Sequence, residues 1–193
     1  MLRSLYGNII KISGRPYAIW ALAGISFLES SIFPIPPDVL LIPMILAAPT
    51  RWFKIAFICT ISSVLGGLAG YAIGFLAFER IGMPLLQLYA YENQFSEFRG
   101  KYAEYGQWIV FFGGTTMFPF KLVTIASGVF ELDLTNFTVT SIVARGIRFF
   151  SVALLLWWLG PPIRSFIERR LGLITILFFA LLVGGFMLVK YAF

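Results

Sequence analysis

Prolines and carboxylates interrupt the longest apolar run in the N-terminal part of this chain. The run extends from Tyr17 to Ala48 and has 32 residues, whereas a helix of about 20 residues already crosses a bilayer. Its sequence FLESSIFPIPPDVLLIP contains Glu29, Pro34, Pro36, Pro37, Asp38 and Pro43. Because proline removes a backbone donor and clashes with the preceding helical turn, no continuous helix is expected here. The pattern predicts two short helices joined by a broken polar tip.

The overall composition indicates that lipid surrounds most of the chain. Of 193 residues, 59% are apolar and 12% are charged, against about 25% charged in a soluble domain. The chain has no histidine and one cysteine, Cys59, which excludes histidine general bases, cysteine metal clusters and an intrachain disulfide. We expect one membrane domain with no metal and no cofactor. The net charge of +6 is attributed to membrane topology, so no nucleic-acid partner is expected.

Hydropathy along the chain predicts an all-α integral membrane protein with two re-entrant helical hairpins and about three transmembrane helices. The second hairpin is inferred from the tip TTMFPFK, which contains Pro119 and Lys121. The expected ranges are hairpin 1 at 17–48, a span at 55–78, a polar loop with one short amphipathic helix at 79–105, hairpin 2 at 106–130, and spans at 135–160 and 171–190. The repeated order of hairpin and span predicts two opposed halves, as in an inverted repeat.

Two further segments bear on orientation and packing. The basic N-terminal segment and the basic turn at 164–170 predict a cytoplasmic N-terminus, in a bacterial cytoplasmic membrane. A cleaved signal peptide is the alternative for residues 17–28, but Glu29 follows directly and no small-residue cleavage site is present. The sequence GGLAGYAIG in the first span predicts close helix packing rather than a phosphate loop.

Charged residues at predicted membrane depth are the strongest functional signal. The set is Glu29, Asp38, Lys121, Arg145 and Arg148, hereafter the charge cluster. Each unpaired charge costs about 2.5 to 3.5 kcal/mol at the bilayer centre, so we expect all of them to meet in one polar cavity.

The cavity's formal charge would be +1, and we expect hydroxyls from Thr115, Thr116, Thr124 and Ser127 to line it. Such a cavity suits an anionic group such as a lipid phosphate. Its carboxylates would hold the cations when the site is empty, and would accept a proton when substrate arrives. The alternative is that these charges form structural salt bridges only.

The two interrupted segments resemble the signatures of a known family. FLESSIFPIPPDVLLIPMILA is similar to the first signature of the DedA superfamily, also called the VTT-domain or SNARE-associated Golgi protein family. TMFPFKLVTIASGVFELDLTNFTVTSIVARGIRFF is similar to its second, and the Pro-x-Lys element resembles the small bacterial branch. The resemblance covers residues 17–160 and implies opposed re-entrant hairpins and the movement of lipids such as undecaprenyl phosphate or phospholipids, in several members tied to a proton gradient.

The resemblance also implies roles for individual residues. The family's essential acidic pair corresponds to Glu29 and Asp38, and its basic residues correspond to Lys121, Arg145 and Arg148. Many members carry arginines on both sides of the second hairpin's proline, where this chain has Thr116 and Lys121. Lysine is a point charge rather than a bidentate fork, so no particular lipid is carried over.

These observations predict a non-enzymatic lipid translocase, flippase-like or scramblase-like, that moves an anionic lipid or lipid-phosphate carrier and is coupled to the proton motive force. Membrane lipids and protons are its expected partners, and a homodimer is one compatible assembly. Two alternatives use the same residues: a proton- or ion-coupled small-solute transporter, and a non-catalytic scaffold for membrane homeostasis. An enzyme acting on lipid phosphate is disfavoured because the chain lacks histidine and a plausible nucleophile pair.

Overall fold

The computed structural model describes residues 17–33, 35–82, 92–116 and 118–160. Every regular element in these ranges is helical. The helices are α1 Ala18–Ser31, α2 Asp38–Ala47, α3 Trp52–Ala77, α4 Glu92–Thr115, α5 Phe120–Val129 and α6 Leu134–Gly160. The expected N-terminal basic segment, Pro34, the basic turn at 164–170 and the span at 171–190 lie outside the described residues.

The first break, residues 32–37, separates α1 from α2 at the proline-rich sequence. α1 ends at Ser31, and Pro37 has φ −65° immediately before α2 begins at Asp38. Proline favours this position because its fixed φ suits the first helical turn and its missing N–H has no partner to lose there. Pro43, by contrast, lies inside α2 without ending it. The carboxylate of Glu29 therefore lies in the last turn before the break, and that of Asp38 lies directly after it.

The second break, residues 116–119, separates α4 from α5 at Pro119. The helix before it differs from the expected division into a polar loop and a separate apolar arm, because one helix extends from Glu92 to Thr115. No proline occurs within that range, so nothing in the backbone chemistry ends the helix where the polar sequence gives way to the apolar one. The polar and apolar parts are consecutive turns of one helix.

Within the described ranges, two helical segments are long and apolar enough to cross a membrane. They are Pro49–Arg80, which comprises α3 and its flanking turns, and Leu134–Gly160, which is α6. A 3-10 turn at Pro49–Arg51 leads into α3, and a π-helical turn at Phe78–Gly82 follows it. α1, α2 and α5 are apolar but only 10 to 14 residues long, which is shorter than a helix needs to span a bilayer.

Glycines on α3 let α1 and α5 pack directly against its backbone. A Cβ added at Gly66 would overlap the main chain of Phe27 in α1, and one at Gly74 would overlap that of Ile125 in α5. From the other side, Gly128 of α5 lies against the main chain of Tyr71 in α3. The predicted packing role of GGLAGYAIG is confirmed. We call Gly66, Gly70, Gly74 and Gly128 the glycine seam.

The glycine seam brings the end of α1 next to the start of α5. At its middle, Gly70 faces both the Thr124 side chain and the Ser30 carbonyl. The hydroxyl of Thr124 donates a hydrogen bond of 3.0 Å to that carbonyl. The residues beside the two breaks are thereby held close together, with α3 behind them.

Candidate functional site

Two arginines on α6 each pair with one of the carboxylates that flank the first break. Arg145 and Arg148 are three residues apart and therefore lie on one face of the helix. Arg145 Nη2 lies 2.5 Å from Glu29 Oε2, and Arg148 Nη2 lies 2.9 Å from Asp38 Oδ2. α6 thus holds both ends of the broken segment through two charge-assisted hydrogen bonds.

The Arg145 side chain is completely buried, with 0% exposure. Its Nε donates to Ser63 Oγ at 2.6 Å, and its guanidinium carbon lies 4.8 Å from the Phe120 ring centroid and 4.6 Å from that of Phe149. Among the described residues, Nη1 has no hydrogen-bond partner. The two aromatic faces stabilise the desolvated cation, so Arg145 is held by a carboxylate, a hydroxyl and two rings.

A chain of hydroxyls continues this contact into α3. Ser30 Oγ donates to Glu29 Oε2 at 3.1 Å, and the hydroxyls of Ser30 and Ser63 are 2.7 Å apart. The Glu29 side chain is only 11% exposed. The Arg145–Glu29 pair is therefore part of a closed polar network that ties α1, α3 and α6 together.

Arg148 is held less completely than Arg145. Its side chain is 13% exposed and that of Asp38 is 25% exposed. Besides Asp38, Arg148 donates from Nη1 to the carbonyl oxygen of Thr116 at 3.0 Å. Because Thr116 belongs to the second break, Arg148 is the residue that connects the two breaks.

Lys121 approaches the same region from the first turn of α5. Its Nζ donates to the carbonyl oxygen of Ile32 at 3.3 Å, at the C-terminal end of α1, where a helix favours positive charge. Within the described ranges, the ion pairs of the charge cluster leave Lys121 without a carboxylate. All five predicted residues thus lie at the two breaks. Four of them form two ion pairs, and Lys121 is bonded to a main-chain carbonyl.

The hydroxyls that sequence reasoning assigned to this cavity have other partners. Thr115 and Thr116 donate to the carbonyls of Phe111 and Phe112, one turn earlier in α4. Thr124 donates to the Ser30 carbonyl and Ser127 to the Val123 carbonyl. Their hydroxyl hydrogens are therefore not directed to the cavity, contrary to the expectation. Thr115, Thr116 and Ser127 bond the carbonyl four residues back, as threonine and serine in helices readily do.

Ser30 and Ser63 are the hydroxyls that the sequence analysis missed. Ser30 follows Glu29 directly, which was an available signal, since an apolar helix rarely places a second polar residue beside a carboxylate without a partner. Ser63 gave no such signal, because its role depends on α3 passing behind α6. In the described parts of the chain, no three acidic or cysteine side chains are grouped as a metal site would require.

An apolar groove includes Thr116, whose carbonyl is bonded to Arg148. It has a volume of about 390 Å³ and runs along α4 and the second break, lined chiefly by Trp108, Ile109, Phe112 and Phe118. Thr116 is also one of its lining residues. The groove therefore meets the cluster at the residue that accepts a hydrogen bond from Arg148.

Comparisons with known proteins identify relatives for most of the chain. No protein-family model matches it, and no solved structure matches it. An uncharacterized protein of Haemophilus influenzae is 33% identical over 171 residues, which cover 89% of this chain and 88% of the relative. An uncharacterized protein of Histophilus somni is 31% identical over 171 residues, which cover 89% of each. The chain belongs to the same family as these two bacterial proteins.

Proposed function

We propose that this protein is a lipid translocase of the DedA superfamily, flippase-like or scramblase-like, in a bacterial cytoplasmic membrane. Its substrate class is an anionic lipid or a lipid phosphate. The observation that carries the proposal is the position of Arg148, which contacts both breaks and is bonded to the carbonyl of Thr116, a residue that lines an apolar groove. A cation at the junction of two broken helices, beside an apolar channel, matches an amphiphile with a negatively charged headgroup.

The glycine seam argues against a purely structural role for the ion pairs. α1 and α5 are already fixed on α3 by contacts between main chains, so the positions of these two helices do not depend on the ion pairs alone. Replacing a buried ion pair by apolar side chains is often neutral or stabilising. Two such pairs in apolar helices are therefore better explained by a role in transport than by a contribution to stability. This disfavours the scaffold alternative.

The apolar groove favours a lipid over a small water-soluble anion. A soluble solute would need a polar path to the charge cluster, whereas the groove that reaches Thr116 is lined mainly by aromatic and aliphatic side chains. A lipid satisfies both surfaces at once, with its headgroup at the cations and its chain along the groove. The formal charge of the cluster, +1 with all groups ionised, is compatible with one anionic headgroup.

Transport would follow from exchange of partners at the two breaks. A headgroup phosphate that engages a cation releases the carboxylate that had been paired with it. Carboxylates at membrane depth that lose a cationic partner take up protons readily, which supplies a route for coupling to the proton motive force. Movement of the two broken segments relative to α6 would then open the site alternately to each leaflet.

The test is a flipping assay in liposomes that contain fluorescent phosphatidylglycerol as the label and this chain as their only protein. We expect faster exchange of the label between leaflets than in protein-free vesicles, and Arg148→Gln should return the rate to the protein-free value. Arg99→Gln is the matched control, because Arg99 is 46% exposed and pairs with the exposed Glu131 on the surface. It should keep the wild-type rate.

Two results would contradict the proposal. One is a wild-type rate equal to that of empty vesicles for phosphatidylglycerol and for a polyprenyl phosphate, with and without an imposed proton gradient. The other is uptake of a water-soluble anion that is coupled to protons and indifferent to lipid composition, which would establish the small-solute transporter instead.

A further inference from the structure

We infer that the two arginines of the charge cluster have different roles, on the premise that the proposed function is correct. Arg148 is the residue that binds the substrate's anionic group, and Asp38 is the carboxylate that this anion displaces. Arg145 is a positioning residue that stays paired with Glu29 throughout. If all five charges bound the substrate equally, the two arginines would have the same role.

Arg145 offers no approach to an incoming anion. Its side chain has no exposed surface, and the Phe120 and Phe149 rings lie against its guanidinium. Among the described residues its Nη1 has no hydrogen-bond partner, but that atom is buried. An anion would have to open this packing or displace Glu29, which also accepts a hydrogen bond from Ser30. Removing one partner from such a desolvated pair leaves an uncompensated buried charge, which costs much more than exchanging a partly exposed partner.

Arg148 offers both exposure and an exchangeable partner. Its own side chain is 13% exposed and that of Asp38 is 25% exposed. Among the described residues, its guanidinium is hydrogen-bonded to Asp38 and one main-chain carbonyl and lies 5.7 Å from the Phe149 ring centroid, a looser hold than that on Arg145. The carbonyl belongs to Thr116, which lines the apolar groove. An amphiphile lying in that groove would have its charged end close to Thr116, whose carbonyl is bonded to Arg148.

Lys121 strengthens the preference for this end. Its ammonium group donates to the neutral carbonyl of Ile32, so the positive charge is not cancelled by the contact. Ile32 is the first residue of the first break, and Asp38 follows its last residue. An anion that replaces the Asp38 carboxylate on Arg148 therefore enters a region that still carries excess positive charge.

This assignment predicts different consequences for neutralising the two carboxylates. Asp38→Asn removes the group that competes with the anion, so it should tighten anion binding and slow transport, because the carboxylate that reclaims Arg148 on release is missing. Glu29→Gln removes a partner of a residue that the anion never touches, so affinity should not rise. A site that uses both arginines equally would respond in the same way to both changes.

The experiment measures binding of dodecyl phosphate to the purified full chain in detergent by calorimetry. Asp38→Asn should bind about fivefold more tightly than wild type, as expected for the loss of one partly exposed competing pair. Arg148→Gln should abolish binding. Arg145→Lys and Glu29→Gln should bind with wild-type affinity, and Arg145→Lys keeps the buried charge if Glu29→Gln proves too unstable to purify.

The assignment is overturned if wild type does not bind the probe, if Arg148→Gln retains wild-type affinity, or if Asp38→Asn binds no more tightly. Flipping assays on the same variants separate this failure from failure of the proposed function. If the probe binds in the expected pattern but the wild type does not flip lipid, the proposed translocase function is rejected and the anion site is retained. If the wild type flips lipid but Arg148→Gln still binds the probe, only the proposed division of roles between the two arginines is rejected.

Discussion

The glycine seam and the charge cluster hold the two broken segments in place by opposite means. In the seam, main-chain atoms of α1 and α5 lie directly against α3, and no side chain is available to leave or be replaced. In the cluster, α6 holds the first break through ionic partners, and another anion is chemically able to substitute for a carboxylate. The comparison indicates that the seam fixes the architecture, and that this leaves the cluster available for function.

The largest expected effect is the loss of the fold when the seam is filled. Gly66→Ala and Gly128→Ala each place a Cβ on main-chain atoms of a neighbouring helix, and no rotamer change relieves an overlap with backbone. We expect a loss of more than about 3 kcal/mol in the free energy of unfolding, beyond the usual range for overpacking. Denaturant unfolding in detergent, followed by tryptophan fluorescence, measures this loss.

Gly24→Ala is the matched control for that prediction. Gly24 lies in α1, and an added Cβ there meets nothing within 4 Å. Alanine should stabilise the protein by about 0.4 to 1 kcal/mol, because it restricts the unfolded chain without strain in the helix. If Gly66→Ala and Gly128→Ala unfolded at the same denaturant concentration as this control, the seam would not be the element that fixes the architecture.

The next largest effect tests whether the buried pair of the cluster is replaceable. Glu29→Gln alone should destabilise the protein by about 3 kcal/mol, because it leaves Arg145 charged and unpaired in a buried site. Glu29→Gln combined with Arg145→Met should recover most of that loss, since neither charge then remains buried. A double-mutant cycle of unfolding free energies checks the pair.

A double variant as unstable as Glu29→Gln alone would contradict this reading of the cluster. It would mean that Arg145 contributes packing that no apolar side chain supplies, and the contrast between a fixed seam and an exchangeable cluster would weaken. Transport by the double variant is a separate question, because under the proposed division of roles Arg145 positions the first break and does not bind the anion.

The sequence predicted the convergence of the charged residues for a physical reason. Charges in apolar helices must meet partners of opposite sign, so Glu29 and Asp38 were expected to lie near Arg145 and Arg148, as the structure places them. The prolines likewise indicated that the chain would break between α1 and α2 and between α4 and α5. Both inferences depend on local chemistry that a linear sequence displays.

The pairing itself was beyond the sequence. Which carboxylate meets which arginine depends on the rotation of α6, and the hydroxyl of Ser63 enters only because α3 passes behind the site. The continuity of α4 from Glu92 to Thr115 was also missed, since a change from polar to apolar sequence was treated as a boundary. The residue composition of a helix changes where its surroundings change from polar to apolar. A helix that contains no proline continues across that change.

The smallest expected effect concerns the polar edge of the seam. Tyr71 donates from its hydroxyl to the Leu132 carbonyl at 2.6 Å, while its main chain contacts Gly128. Tyr71→Phe should cost about 1 kcal/mol, the usual net value of one hydrogen bond. Tyr105→Phe, at a residue 54% exposed, is the control and should leave the unfolding free energy unchanged. Because Tyr71 belongs to the fixed part of the molecule, its variant should bind dodecyl phosphate as wild type does. Weaker binding in the purified, folded variant would show that seam and cluster are coupled rather than independent.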